Sequence, residues 1–267
     1  MIHKVWSAVR RQGNTVASLT GAVIFWEIAV RLTHTPEYIL PAPSRVLVDM
    51  IDHAGSLAQA SLYTLQPMIV GFLVAVVFGV LLALLVVYSR AFEAIFYPLL
   101  VVLQIIPKIA VAPLFLTWVG YGLLPKVLLV FLLSFFPIVI NSIVAFKSVD
   151  SELYDLAKSY RASRLKIFWQ VELPGALPSL FAGFKVAAAL SATAAVVAEF
   201  VASDNGLGYQ LLGYNGNFNT SMTFAVIIVL SLLGLMLYGA VELIERWAIP
   251  WHVSQRRDEF IVGRSPA

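Results

Sequence analysis

The chain has 267 residues, of which 60% are hydrophobic and 12% charged, with a mean hydropathy of +0.86. A soluble domain carries roughly 45–50% apolar and about 25% charged residues, so this composition excludes a soluble fold and puts the chain in a lipid bilayer. The net charge of +3 matters less than where the cations lie, and the absence of cysteine removes disulfides, thiolate metal sites and thiol nucleophiles.

About 20 predominantly apolar residues make one crossing helix, and six stretches qualify: Thr15–Leu32, Leu65–Tyr88, Phe92–Val119, Leu124–Phe146, Ala176–Ala202 and Met222–Ile249. Trp26 and Glu27 interrupt the first, and no small-residue cleavage pattern follows before Pro36, so it is expected to remain as a helix. The third carries Pro98, Pro107 and Pro113 with Lys108 near its middle, which predicts a kinked or tilted element. In the fifth, Gly183, Ala187, Ser191 and Ala195 recur every four residues and make one face nearly flat. Such a face serves close packing within the bundle, a contact with a second copy, or the lining of a path.

Between the fourth and fifth spans lies a polar stretch, Ser151–Pro174, where Lys158, Arg161, Arg164 and Lys166 cluster with Lys147 just before. Leu153, Leu156, Ala157 and Tyr160 fall at helical spacing on one face, with Glu152, Asp155, Lys158 and Ser159 facing away. Ser163 is placed to cap a second helix with a stripe of Leu165, Phe168 and Trp169, which Pro174 is expected to stop, leaving Pro178 in the first turn of the next span. One reading is a helix pair lying on anionic headgroups. The other is a cytoplasmic helix held out for a soluble partner.

With the N-terminus in the cytoplasm, the inner side receives Lys4, Arg10, Arg11, Arg90, Lys147, the four cations of the polar stretch, Arg246, Arg256, Arg257 and Arg264. The outer side receives only Arg31, Arg45 and Lys126. Lys and Arg favour cytoplasmic loops, so both termini are expected inside. Ionisable residues in the spans are rare and normally face protein or water. Lys108 is therefore a candidate to contact an anionic solute, or to pair with Glu199 or with carbonyls freed by the prolines. Ser191 and Glu199 are candidates for the lining of a path, Glu199 with a structural pair preferred. Lys185 is expected to snorkel to the cytoplasmic interface. After the fifth span, Ser203–Ser221 is rich in Gly, Asn and Tyr and lacks Lys and Arg, with a turn signal at Asp204-Asn205-Gly206.

The polar stretch resembles the cytoplasmic "EAA" loop of ABC-transporter permeases. Asp155, Leu156 and Ala157 stand at the acidic-Ala-Ala triplet, Arg161 where that family usually has Gly, Val171 at the aliphatic position, and Leu173-Pro174 at the end. The departures include Arg161 itself, because Gly permits a left-handed turn that costs Arg more. Leu40-Pro41-Ala42-Pro43-Ser44, Ser89-Arg90, Ile106–Ala110, Ala112-Pro113-Leu114, Phe135–Ile138, Ala198-Glu199 and Gly206-Leu207-Gly208-Tyr209 are similar, in order and spacing, to permeases of the sulfonate, taurine and nitrate importer group, whose relatives also carry pyrimidine-like thiamine precursors and flavins.

The resemblance implies an all-α integral membrane fold, the six-helix type I (MetI-like) importer bundle with a cytoplasmic coupling helix. It divides the chain into 1–62 (N-terminal segment, first span and outer loop), a core of 63–250 with the coupling loop 147–174, and a tail of 251–267. It implies an inner-membrane subunit that forms the path of a small anionic or heteroaromatic solute. Its partners are cytoplasmic ATPases, a second permease in a homodimer, an external solute-binding protein and the bilayer, with no nucleic acid, cofactor or metal. Contact with the ATPase falls to Glu152, Asp155, Leu156, Ala157, Lys158, Tyr160, Arg161, Leu173 and Pro174, and an outer gate to Gly206, Gly208 and Tyr209.

The sequence has no GxxxxGK[ST] phosphate loop and no HExxH or GxSxG pattern, so ATP hydrolysis is expected on another chain and no enzyme chemistry on this one. An ion-coupled secondary transporter is the alternative, but it would leave the charged helix pair unexplained and no convincing inverted repeat is visible. Reporter domains fused within Ser151–Val171 and after Ala267 are both expected to report the cytoplasm, and an external signal at either place would contradict the orientation.

Overall fold

A bilayer offers no water to unpaired N–H and C=O groups, so a crossing segment must close its hydrogen bonds within itself. The computed structural model describes residues 2–251, with side chains for most of them from Ala17 onward. Every regular element in that range is helical. These are α1 (Ile2–Thr33), α2 (Pro43–Asp52), α3 (Ala54–Tyr88), α4 (Arg90–Ile105), a 3-10 turn (Lys108–Val111), α5 (Ala112–Val119), α6 (Leu123–Lys147), α7 (Ser151–Ser159), α8 (Arg164–Ile167), a π-turn (Phe168–Glu172), α9 (Leu173–Ala202), α10 (Leu207–Gly216) and α11 (Thr220–Ala248). Beyond Trp251 the expected tail lies outside the described residues.

Among the described residues, four segments are long and apolar enough to cross a membrane by themselves: α3, α6, Arg164–Val201 and α11. α4 and the Lys108–Val119 segment qualify only as a pair. The first expected span, Thr15–Leu32, lies inside the 32-residue α1. α9 is the centre of the bundle, packed most extensively on α6 and also on α11 and α3. A core of Phe72, Ala75, Ile138, Phe181, Ala187, Ala188 and Val241 joins all four helices.

The flat face of α9 is used for packing inside the bundle. Ala187, Ser191, Ala195 and Ala198 are buried, Ser134 Oγ donates to the Ala187 carbonyl at 3.4 Å, and a Cβ on Gly183 would stand 2.6 Å from Asn141 Cβ. α3 meets α6 in the same way, at Gly71 against Val130 and Gly79 against Ile138.

The kink expected in the third span is present, as a break between two pieces bent by 87°. Ile106, forced out of the helical region by the following proline, is extended at ψ 129°, and Pro107 offers no N–H to continue the ladder. Pro174 does not stop a helix. The π-turn carries the chain through it, with the Leu173 N–H reaching five residues back to the Phe168 carbonyl, so α9 begins ahead of Pro178. The wider turn makes room for a ring that would clash with an ordinary α-helical carbonyl. It also shifts the register, so Ile167 and Phe168 turn inward while Leu165 and Trp169 are exposed. Finally, Lys185 does not snorkel. Its Nζ lies 2.8 Å from Glu245 Oε2 on α11, with both side chains largely buried, because α11 brings a carboxylate within reach at that level.

Gly71→Ala is expected to destabilise the detergent-solubilised protein by about 1–3 kcal/mol, since its Cβ would stand 2.6 Å from Val130 Cβ and 2.9 Å from the Val127 carbonyl. Gly55→Ala, in open space on the same helix, is expected to leave the thermal midpoint unchanged or slightly raised.

Candidate functional site: the polar loop and the carboxylate clamps

α7 begins at Asp150, whose Oδ1 accepts the Glu152 N–H at 2.9 Å, and an acidic first turn and basic last turn suit its dipole. It ends in a Schellman motif: the Arg161 N–H donates to the Lys158 carbonyl at 2.8 Å and the Ala162 N–H to the Ala157 carbonyl at 3.1 Å. That closure puts Arg161 at φ +56°, in the left-handed region where glycine is at ease and arginine is disfavoured by about 1 kcal/mol. Ser163 caps α8, its Oγ accepting the Lys166 N–H at 3.4 Å.

Among the described residues, nothing covers the apolar face of α7. Leu153 is 51% exposed, Leu156 54% and Tyr160 80%, with Ala157 half-buried among them. Glu152, Asp155, Lys158 and Arg161 are exposed around it. Leu173 and Pro174 lie half-buried at the far end of the loop, where the chain re-enters the bundle. The elements that α7 packs on most are α8 and the π-turn.

At the end that carries α10, two buried or half-buried carboxylates hold the starts of short helices. Glu199 is 1% exposed; its Oε2 accepts the Gly208 N–H at 2.6 Å, beside Leu207, whose N–H donates to Thr64 Oγ1 at 2.9 Å. Gly206 sits at φ +104° with its α-carbon against the Glu199 carboxyl, and a side chain there or at Gly208 would collide with it. The carboxyl group thus meets the unpaired amides at the start of α10. Glu27 does the same for α2, accepting the Ser44 N–H at 3.0 Å and the Ser44 hydroxyl at 2.8 Å. Lys126 Nζ donates to Ser203 Oγ at 2.6 Å in the turn that leads to α10.

The structure therefore brings Glu199, Gly206 and Gly208 together, a grouping that sequence reasoning had divided between a path and a gate. Tyr209 is exposed next to them. Lys108 stands apart from Glu199. Its Nζ donates to the Gln104 carbonyl at 3.0 Å, the carbonyl that the break at Pro107 leaves without its helical partner, and lies 4.8 Å from the Phe136 ring centre. Ser191 is fully buried and donates to the Ala188 carbonyl at 2.7 Å. An open groove of about 630 Å³ runs between α9 and α11 past Thr193, Phe200, Ser231, Gly234 and Tyr238, and its lining holds no ionisable acid or cation. Among the described residues no group of three or more His, Asp or Glu side chains converges on a metal position.

Residues 71–249 match the family described as binding-protein-dependent transport system inner membrane component. The chain belongs to this family. It is 35% identical over 234 residues to the formylaminopyrimidine transport permease of Halalkalibacterium halodurans, covering 87% of this chain and 93% of that one. It is 38% identical over 234 residues to the riboflavin transport system permease of Chloroflexus aurantiacus, covering 87% of each. In fold it resembles the inward-facing MetNI methionine ABC transporter, with a TM-score of 0.59 at 19% identity over 71% of this chain and 95% of that one. This chain is a multi-pass membrane permease of the ABC importer kind with the MetI-type helical architecture.

In a permease the α10 clamp fixes a short helix at one mouth of the bundle. Glu199→Ala removes the buried acceptor of the Gly208 N–H and is expected to speed amide exchange at Leu207–Gln210 by tenfold or more, in line with the roughly 1–3 kcal/mol of leaving a buried donor unpaired. Unchanged exchange there would contradict the clamp.

Proposed function

We propose that this permease pairs with a second copy of itself to form the translocation path of an importer whose ATP hydrolysis belongs to separate cytoplasmic ATPase chains and whose solute is delivered by an external binding protein. The α7 end then faces the cytoplasm with both termini, and the α2–α10 end faces outward, an orientation supported by the distribution of Lys and Arg. Residues 63–250 act as the transporting core, with 147–174 as its coupling loop.

The observation that carries this reading is the uncovered face of α7. Leu153, Leu156 and Tyr160, rimmed by charge, make a small apolar knob on a capped, rigid turn. A cleft on an ATPase would bury that knob, and only a contact that differs between two nucleotide states can shift the bundle between inward-facing and outward-facing forms. No nucleophile or cofactor is needed in this chain.

For the solute we propose a small heteroaromatic compound. The relatives named for formylaminopyrimidine and riboflavin are 35% and 38% identical, and the α9–α11 groove offers aromatic rings and hydroxyls without a cation to hold a sulfonate or nitrate. Lys108 is already engaged by a carbonyl and a ring.

The test is ATP hydrolysis by the permease reconstituted in lipid with its ATPase and binding protein. Pyrimidine or flavin compounds are expected to stimulate hydrolysis and taurine or nitrate to leave it unchanged; the reverse would overturn the solute class alone. Ala157→Glu, which sets a charged side chain in the knob, is expected to leave the permease inserted and abolish the stimulation. Normal stimulation in that variant would overturn docking through α7.

A further inference from the structure

We propose that Tyr88 and Glu172 are positioning residues which, with the π-turn as a joint, carry movement of the polar loop into the α3–α4 corner of the bundle; this rests on the reading that α7 docks on an ATPase. The loop is tied to the bundle by few routes. α7 packs on α8 and the π-turn, and otherwise continues through Ser148–Asp150 into α6. A load on α7 therefore passes into Arg164–Glu172 or back into Lys147.

Both routes end on the same corner. The Tyr88 hydroxyl, on the last residue of α3, donates to Glu172 Oε2 in the π-turn, and Lys147, the last residue of α6, pairs with Glu93 in the first turn of α4. Ser89 between them caps α4, its Oγ accepting the Phe92 N–H at 3.4 Å. Phe168 stands between the rings of Tyr88 and Phe146, with centroids 6.4 and 6.3 Å away. The α3–α4 corner is thus held by the segments that enter and leave the loop.

The energetics point to geometry as the purpose of these contacts. Lys147 and Glu93 are each more than 40% exposed, and exposed ion pairs of this kind add little to stability. The π-turn is a poor way to stabilise a helix, but it is common where a helix must bend for function. Here it separates the loop from the 30-residue α9. Without the joint, a shift of α7 would swing that whole rod; with it, and with Glu172 held by Tyr88, the shift is delivered to α3 and α4.

Tyr88→Phe keeps the ring against Phe168 and removes only the hydroxyl. In proteoliposomes holding the complete transporter, with uptake and ATP hydrolysis measured together, this variant is expected to assemble with the ATPase and hydrolyse ATP while solute moved per ATP falls about tenfold, the scale of a lost hydrogen bond to a charged group. Glu172→Leu is expected to match it, and Glu172→Gln, which keeps an acceptor, to retain most of the coupling. An unaltered ratio in both Tyr88→Phe and Glu172→Leu would overturn the proposal, as would a fall in assembled protein with no change in ratio, the mark of a purely structural contact. Absence of ATP-driven uptake by the unsubstituted complex would overturn the α7 docking reading and this proposal with it. The two failures are separate, because the first is read with the parent transporter working.

Discussion

The close approach of α9 to α6 and α3 is the constraint on which the rest of this permease depends. Lipid tails are as apolar as leucine, so helices in a bilayer gain little by hiding hydrophobic surface from each other and must gain by packing backbone against backbone. Small residues make that possible here: Gly183 beneath Asn141, Ala187 within hydrogen-bond reach of Ser134, and Gly71 and Gly79 under Val130 and Ile138. The helical run from Arg164 to Val201 has 38 residues, about 57 Å at 1.5 Å per residue. It exceeds the roughly 30 Å of hydrocarbon, so the run spans from the polar loop, which the π-turn sets off from the 30-residue α9, to the Glu199 clamp at the other end.

Polar groups along this run are handled by pairing, because an unpaired charge in the membrane interior is strongly disfavoured. Lys185 meets Glu245 from α11. Glu199 meets the start of α10 and Glu27 the start of α2, so the two short helices at that mouth are each pinned by a carboxylate from a long helix. Each pin joins residues distant in the chain or across a sharp turn, and each makes a short helix, which is marginal alone, part of the bundle.

Much of this was legible from the residues. Composition placed the chain in a membrane, hydropathy located α3, α6, α9 and α11 to within a few residues at most ends, and the periodicity of Leu153, Leu156, Ala157 and Tyr160 located α7. Asp155-Leu156-Ala157 and Leu173-Pro174 carried the family resemblance. What stayed hidden depends on partners far away in sequence. α2 and α10 are short and owe their starts to Glu27 and Glu199. Lys185 looked free to reach the interface because nothing near it in sequence announces Glu245. The π-turn was invisible because Pro174 reads locally as a stop, and only the continuing rod shows how the chain passes it. Arg161 was legible in part: its place at a glycine position signalled strain, and its φ of +56° shows that the turn keeps its left-handed form regardless.

The account centres on α7 as the point where a partner's motion enters the bundle, and the chain's lack of cysteine allows a clean test. With Leu156→Cys as the single thiol of the permease, maleimide labelling in membranes is measured with and without the ATPase present. The account predicts rapid labelling of the permease alone and strong protection in the complex, with protection changing between nucleotide-free and ATP-bound states. Equal labelling in every condition would show that the face of α7 stays bare and would contradict the account.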